Sequence, residues 1–303
     1  MRGNKAPGGL LRAFWRGRAQ RVQSVLQPAQ GKAMRLTRYI VSLGWEGFGD
    51  RLQCLSHCIW LANTRNRVLV VNWNDRWFGG GFHEFFQIVD IPYALEQPEG
   101  NTHPSIARHM RNVPADDWVY DLKEPSNENF ECTQPIQVHL GVGYRRWQYD
   151  LLETHLRFHP DLDLAKRIVV LLEMASGRPV VHLRGTDKGF NQESCKALAQ
   201  RMESPVAIVS DDARSVRCFL EVRPDTIVLS EDLSEDPLHK SAPSREKTLR
   251  MLAEFCLLSL RGLDTLCPTS LFWTAARSIN TDLWFRPAKE EQDYGDFLYR
   301  VGV

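Results

Sequence analysis

The chain has 303 residues, 43% hydrophobic and 25% charged, enough to bury a full core in one large or two modest domains and too apolar for a disordered protein. No stretch approaches the ~18 uninterrupted apolar residues of a membrane span. The formal charge of +1 hides an asymmetry: residues 1–45 hold nine Lys and Arg and no acid, and from Glu46 onward 29 basic residues face 37 acidic ones, a balance of −8.

Taken in chain order, Leu11, Trp15, Val22 and Leu26 recur at helical spacing among Arg12, Arg16 and Arg21, and Pro28 and Gly31 end the run. This basic tail, residues 1–33, reads either as a peripheral contact with anionic lipid at the inner face of a membrane or as a frayed or packed extension. Arg12, Arg16 and Arg18 interrupt the early apolar residues, so no signal peptide is expected. Seven scattered cysteines fit reduced thiols in the cytoplasm. Next come a strand at Tyr39–Leu43, a glycine-punctuated loop from Gly44 to Asp50, a helix from Arg51 to about Asn63 and a strand at Val68–Val71. These form one βαβ unit. Residues 72–150, rich in Gly, Pro and aromatics, predict long loops.

After Leu164 the alternation is regular. Strands are expected at Val180–Leu183, Val206–Val209, Thr226–Leu229, Thr265–Cys267 and Leu283–Phe285, with helices at about 164–175, 193–203, 212–221, 245–261 and 270–279. The pattern predicts an α/β fold whose C-terminal half is a doubly wound parallel sheet. Two halves joined near 150–165 follow, one over 34–163 that contains the glycine-punctuated loop and a second over 164–303.

Ligands of open parallel sheets bind outside the carboxyl ends of the strands. Four clusters occupy such positions: the Gly44–Asp50 loop; His182 to Lys188; Ser210-Asp211-Asp212; and Pro268-Thr269-Ser270, which opens a helix. Thr269 and Ser270 are plain N-caps or, with the first-turn N–H groups, an anion site. Arg184 suits a phosphate or an ion pair with Asp187, Asp211 or Asp212. Gly47 and Gly49 either bring backbone N–H groups to a phosphate or simply make a turn. Taken together, these clusters converge on a pyrophosphate.

The run Gly47-Phe48-Gly49-Asp50-Arg51-Leu52, followed by a helix and Val68-Leu69-Val70-Val71-Asn72-Trp73, resembles the N-terminal signature of the rhizobial nodulation fucosyltransferases. His182-Leu183-Arg184-Gly185-Thr186-Asp187-Lys188 is similar to the first donor motif of that family and of the core α1,6-fucosyltransferases, Ser210-Asp211-Asp212 to the second, and Leu252 through Glu254 to Thr269-Ser270 to the third. The resemblance implies a GT-B fold, two Rossmann-like domains facing a cleft, and inverting, metal-independent transfer of fucose from GDP-fucose to a hydroxyl of an oligosaccharide or glycoconjugate. No cofactor and no metal are implied. Arg184 would then stabilise the departing β-phosphate, with His182 beside the nucleotide. Thr269 and Ser270 would cradle the diphosphate, as would Gly47, Phe48, Gly49 and Asp50 from the other half. Asp211 and Asp212 would line the donor, and Glu254 would read the guanine edge. The base would be Glu46, immediately before Gly47-Phe48 in the glycine loop, or Glu193. Gly185 stands where the α1,6 enzymes carry a second arginine, which leaves the linkage open. Trp77, Trp147 and Lys188 are candidates for the acceptor side, and the other rings around Trp73 and Phe86 are assigned to the core. A silent glycan- or nucleotide-binding protein on this fold, or a transferase using another GDP-hexose, is the alternative.

Other signals are set aside. Asp161-Leu162-Asp163 precedes a helix and is read as capping, and Cys54, His57 and Cys58 as a buried helix face without a second metal-ligand pair. His83 and Glu84 lack a partner His. The acidic body argues against nucleic acid.

Overall fold

The computed structural model describes residues 39–43, 47–73, 79–91, 93–95, 118–121, 136–139, 149–159, 162–185, 189–231, 233 and 244–286. Two parallel sheets organise these residues. The first combines β1 (Tyr39–Leu43), β2 (Val68–Asn72), β4 (Tyr93–Leu95), β5 (Trp118–Asp121) and β6 (Ile136–His139) in the order β4-β2-β1-β6-β5. Every pairing in it is parallel. The second, also parallel, runs β10-β9-β8-β11 from β8 (Val180–Leu183), β9 (Ala207–Ser210), β10 (Ile227–Val228) and β11 (Gly262–Thr265). A short antiparallel pair, β3 (Phe86–Ile88) with β7 (Leu156–Phe158), lies outside both.

The helices follow the strands they cover. Helix α1 (Phe48–Arg65) connects β1 to β2, α2 (Tyr149–His155) leads into β7, and α3 (Leu164–Ala175) precedes β8. Then come α4 (Gln192–Gln200), α5 (Ala213–Val222), α6 (Arg245–Arg261) and α7 (Leu271–Ser278). Helices α3 and α6 start and stop where the sequence predicts, because each is bounded by a clear change of pattern. Among the described residues no helix is long and apolar enough to cross a membrane.

Four expectations change. Helix α1 begins at Phe48 and takes in the second half of the glycine loop, because the Phe48 side chain is buried against Trp73, Phe86, Phe255 and Phe272. The stretch expected to be loops, 72–150, supplies three strands of the first sheet; at three or four residues each they are too short to show a period. The strand expected at Leu283–Phe285 is a 3-10 turn, Thr281–Phe285. There Trp284 is fully buried and its indole N–H donates to the Leu152 carbonyl at 3.0 Å, while the Asn280 N–H donates to Glu153 Oε1 at 2.6 Å. The apolar run is thus a plug into the first half of the chain, not part of the second sheet. The strand placed at Thr265–Cys267 lies three residues earlier, running straight on from α6.

An aromatic wall joins the two sheets. Phe48, Phe82, Phe86 and Phe158 come from the first half, and Phe255, Phe272 and Trp284 from the second. Phe48 meets Phe255 edge-on at 5.0 Å, and Phe255 stacks on Trp284 at 5.9 Å. Such pairs contribute about 0.5–1.5 kcal/mol each beyond the area they bury. The assignment of Trp73, Phe82, Phe85 and Phe86 to the core holds, since all four are buried. Cys54, His57 and Cys58 are buried on α1. Asp163 is at the N-cap position of α3 but makes no side-chain cap; it pairs with Lys166 at 3.3 Å.

Candidate functional site

In the second sheet the chain runs outward from β8 through β9 to β10, then returns to place β11 on the other side of β8. That reversal opens a crevice at the carboxyl ends of β8 and β11. His182 and Thr265 are buried register partners on β8 and β11 at its floor, with Nδ1 3.2 Å from Oγ1, and the Leu266 N–H donates to the His182 carbonyl at 2.9 Å. His182 is buried, its ring parallel to the Trp273 indole at 6.2 Å. Arg184 follows directly, half-buried, on the rim of this crevice.

Helix α7 starts at the same place. Ser270, 2% exposed, is its N-cap, and its Oγ accepts the Trp273 N–H at 3.5 Å. Thr269, beside it, is exposed, with its hydroxyl 3.5 Å from the Cys267 thiol. The serine therefore does cap the helix, and a hydroxyl that accepts one bond keeps its own proton to donate.

The first sheet also reverses direction, around β1, which has β2 on one side and β6 on the other. From the carboxyl end of β1, α1 starts at Gly47, an N-cap with no side chain, and carries Asp50 in its first turn. A Cβ on Gly49 would come within 2.5 Å of the Leu271 carbonyl oxygen and overlap the Phe272 nitrogen. Glycine is required here because the first turns of α1 and α7 touch backbone to backbone. The positive ends of two helix dipoles, one from each sheet, are thereby brought together.

Beside Arg184, the Gly185 N–H donates to Asp211 Oδ1 at 3.2 Å, and a Cβ at Gly185 would overlap the Asp212 carboxylate. Asp212 is fully buried. It accepts from Ser215 Oγ at 2.7 Å and from Arg214 Nε at 3.0 Å, and it caps α5. A side chain at position 185 would force the Asp212 carboxylate and the Ser215 hydroxyl to shift. Arg214 holds Asp212, its guanidinium over Phe190 at 5.7 Å. Ser210 Oγ ties the two strand ends, donating to the Leu183 carbonyl at 2.7 Å and accepting the Asp212 N–H at 3.0 Å.

Glu254, half-buried on α6, accepts a hydrogen bond from Ser230 Oγ at 2.7 Å. Ser230 follows β10, so the strand-end rule that singled out Ser210 also pointed to it; sequence reasoning passed over it because no motif surrounds it. Glu193 is exposed in the first turn of α4, behind the Asn191 cap. Glu46, Trp77, Trp147 and Lys188 lie outside the described residues. Among the described residues no group of three or more His, Cys, Asp and Glu side chains is gathered to hold a metal ion.

No protein-family model matches the chain, and no curated protein matches its sequence. Solved structures do resemble it. The fucosyltransferase NodZ from Bradyrhizobium superposes with a TM-score of 0.55 at 17% identity, covering 80% of this chain and 91% of its own. NodZ α-1,6-fucosyltransferase soaked with GDP-fucose gives 0.54 at 16%, with coverage of 80% and 92%. A mutant of Arabidopsis thaliana FUT1 in complex with GDP gives 0.52 at 14%, with coverage of 88% and 73%. The structural neighbours of this mixed α/β chain are thus fucosyltransferases, and it has their fold.

Proposed function

We propose that the chain is an inverting, metal-independent glycosyltransferase that moves fucose from GDP-fucose to a hydroxyl of an oligosaccharide or glycoconjugate. In this reading it has the GT-B arrangement, with residues 34–163 forming the acceptor side and 164–303 the donor-binding side. The observation that carries the proposal is the meeting of two helix N-termini at Gly49, beside the crevice rimmed by Arg184. Two first turns and a guanidinium favour a doubly charged diphosphate. Neighbours of this fold soaked with GDP-fucose or complexed with GDP support the choice of nucleotide.

In the reaction, the bond between the sugar C1 and the β-phosphate oxygen breaks as the acceptor oxygen attacks C1 from the opposite face. The acceptor proton passes to a carboxylate, Glu46 beside the α1 cradle or Glu193 on α4. Arg184 stabilises the charge that collects on the departing GDP, the kind of interaction that supplies the largest share of catalysis in such sites. His182 holds the nucleotide side of the crevice. Trp77, Trp147 and Lys188 belong to the acceptor side in this scheme, and the basic tail to a peripheral membrane contact at the cytoplasmic face.

A thermal-shift panel of GDP, UDP, CMP and their sugars tests the donor class, because a ligand that binds the native state raises its stability by mass action. A shift with GDP compounds alone is expected, and a UDP-specific shift overturns the reading. Glu46→Gln is expected to abolish transfer while leaving the GDP shift intact. Full transfer in both Glu46→Gln and Glu193→Gln would rule out each as the base.

A further inference from the structure

Helices α4 and α5 meet through two thiols. The Cys195 thiol donates to the Ser215 carbonyl at 3.3 Å, and the Cys218 thiol to the Gln192 carbonyl at 3.6 Å. The pattern is reciprocal: each sulfur reaches the carbonyl one turn ahead of the other cysteine on the facing helix. Both sulfurs therefore lie in the seam between the helices, within hydrogen-bonding reach of each other. They are free thiols, in one apolar cluster with Leu183, Leu198 and Phe219.

Two properties of the seam decide its chemistry. Closed, it shields the pair, since Cys195 is fully buried and Cys218 is 5% exposed. Burial, with the Cys218 sulfur beside it, pushes the Cys195 thiol up to about 12, and a protonated thiol is a poor nucleophile. The shield itself is thin. Helix α4 has nine residues and buries only Cys195, Leu198 and Ala199, while Gln192, Glu193 and Ser194 in its first turn are exposed. A helix held by so few apolar contacts opens locally at low free-energy cost. Opening returns a thiol to water and to its ordinary acidity; reclosing sets it against its partner.

We propose that Cys195 and Cys218 form a redox site, at which a small diffusible peroxide closes a disulfide that pins α4 to α5. The site operates whatever the crevice binds. In the open state a thiolate attacks one peroxide oxygen. The O–O bond breaks, an S–O bond forms, and the departing hydroxide takes up the proton that the thiol released, leaving a sulfenic acid. When α4 recloses, the second sulfur attacks the sulfenic sulfur. The S–S bond forms, the S–O bond breaks, and water departs with the second thiol's proton. Two thiols lose two electrons and two protons, and one peroxide becomes two waters.

The full chain is reduced, freed of reductant, treated with hydrogen peroxide, blocked with iodoacetamide and mapped by peptide mass spectrometry without reduction. A peptide linked through Cys195 and Cys218 is expected, and dithiothreitol should release it. Amide hydrogen exchange across α4 is expected to slow several-fold in the oxidised protein, because α4 then opens only within a closed covalent loop. In Cys218→Ser, peroxide is expected to leave that exchange unchanged. If this variant does not fold, the map of wild type decides alone. Unlinked, blocked Cys195 and Cys218 after treatment of the folded protein overturn the proposal, as does a link that forms only in urea. A linked protein whose α4 exchanges as fast as before overturns the pinning. Slowing that persists in Cys218→Ser traces to another cysteine and overturns the assignment to this pair.

Discussion

The two sheet ends that meet at Gly49 contribute different materials. From the first sheet comes backbone: a helix that opens on a glycine without a side-chain cap and lies against its neighbour through another glycine. From the second come side chains: a buried histidine, a half-buried arginine, a serine cap and an acid-braced loop. A surface of N–H groups depends on where the chain runs and only weakly on what it carries, whereas a side-chain surface is lost by truncating one residue. Stability and ligand binding should therefore respond in opposite order on the two sides.

Gly49→Ala is the most severe test. The added methyl has no room against α7, and relief requires the two helices to separate. Overpacking of this kind typically costs about 1–3 kcal/mol, and we expect the upper end because the obstacle is backbone. Urea denaturation should show that loss, and the thermal shift with GDP should vanish with it. A variant that kept both would break the picture of two touching helix ends. Arg184→Ala probes the other side. Removing the guanidinium should weaken GDP binding by roughly 30- to 100-fold, about 2–3 kcal/mol for a charge-assisted contact, with an unchanged melting temperature in the absence of ligand. A parallel loss of stability would show that Arg184 is a structural ion pair. Ser270→Ala lies between the two. Loss of the α7 cap should cost about 1 kcal/mol in denaturation, with a smaller loss in GDP affinity; a large affinity loss at full stability would move Ser270 from capping to ligand contact.

What was legible in the sequence follows the same division. Helices α3 and α6 and strand β8 could be read off because one buried helix face leaves a period, and a strand buried on both faces leaves a short apolar run between turn signals. Ser210, which ends β9, and Arg184 and Gly185, which follow β8, stand at strand ends because topology puts them there. Contacts between elements were not legible. Nothing local marks Phe48 as helical; its partners Phe255 and Phe272 are more than two hundred residues away. Nor does anything near Gly185 announce that Asp212 fills the space beside it. Leu283–Phe285 failed for the same reason: three apolar residues look like a strand until the carbonyl of Leu152 is seen to receive the indole of Trp284.

That plug has a consequence for how the chain is made. Trp284 packs against Phe86 and Phe158 and donates to the Leu152 carbonyl within α2, so the first half of the molecule lacks part of its interior until residue 284 has left the ribosome. Domains usually fold as units in order of synthesis. Here the rings of Phe86 and Phe158 stay uncovered until Trp284 has been made, and contacts of such long sequence separation also form slowly. The interval between translating Phe86 and translating Trp284 is therefore when this chain most needs a chaperone.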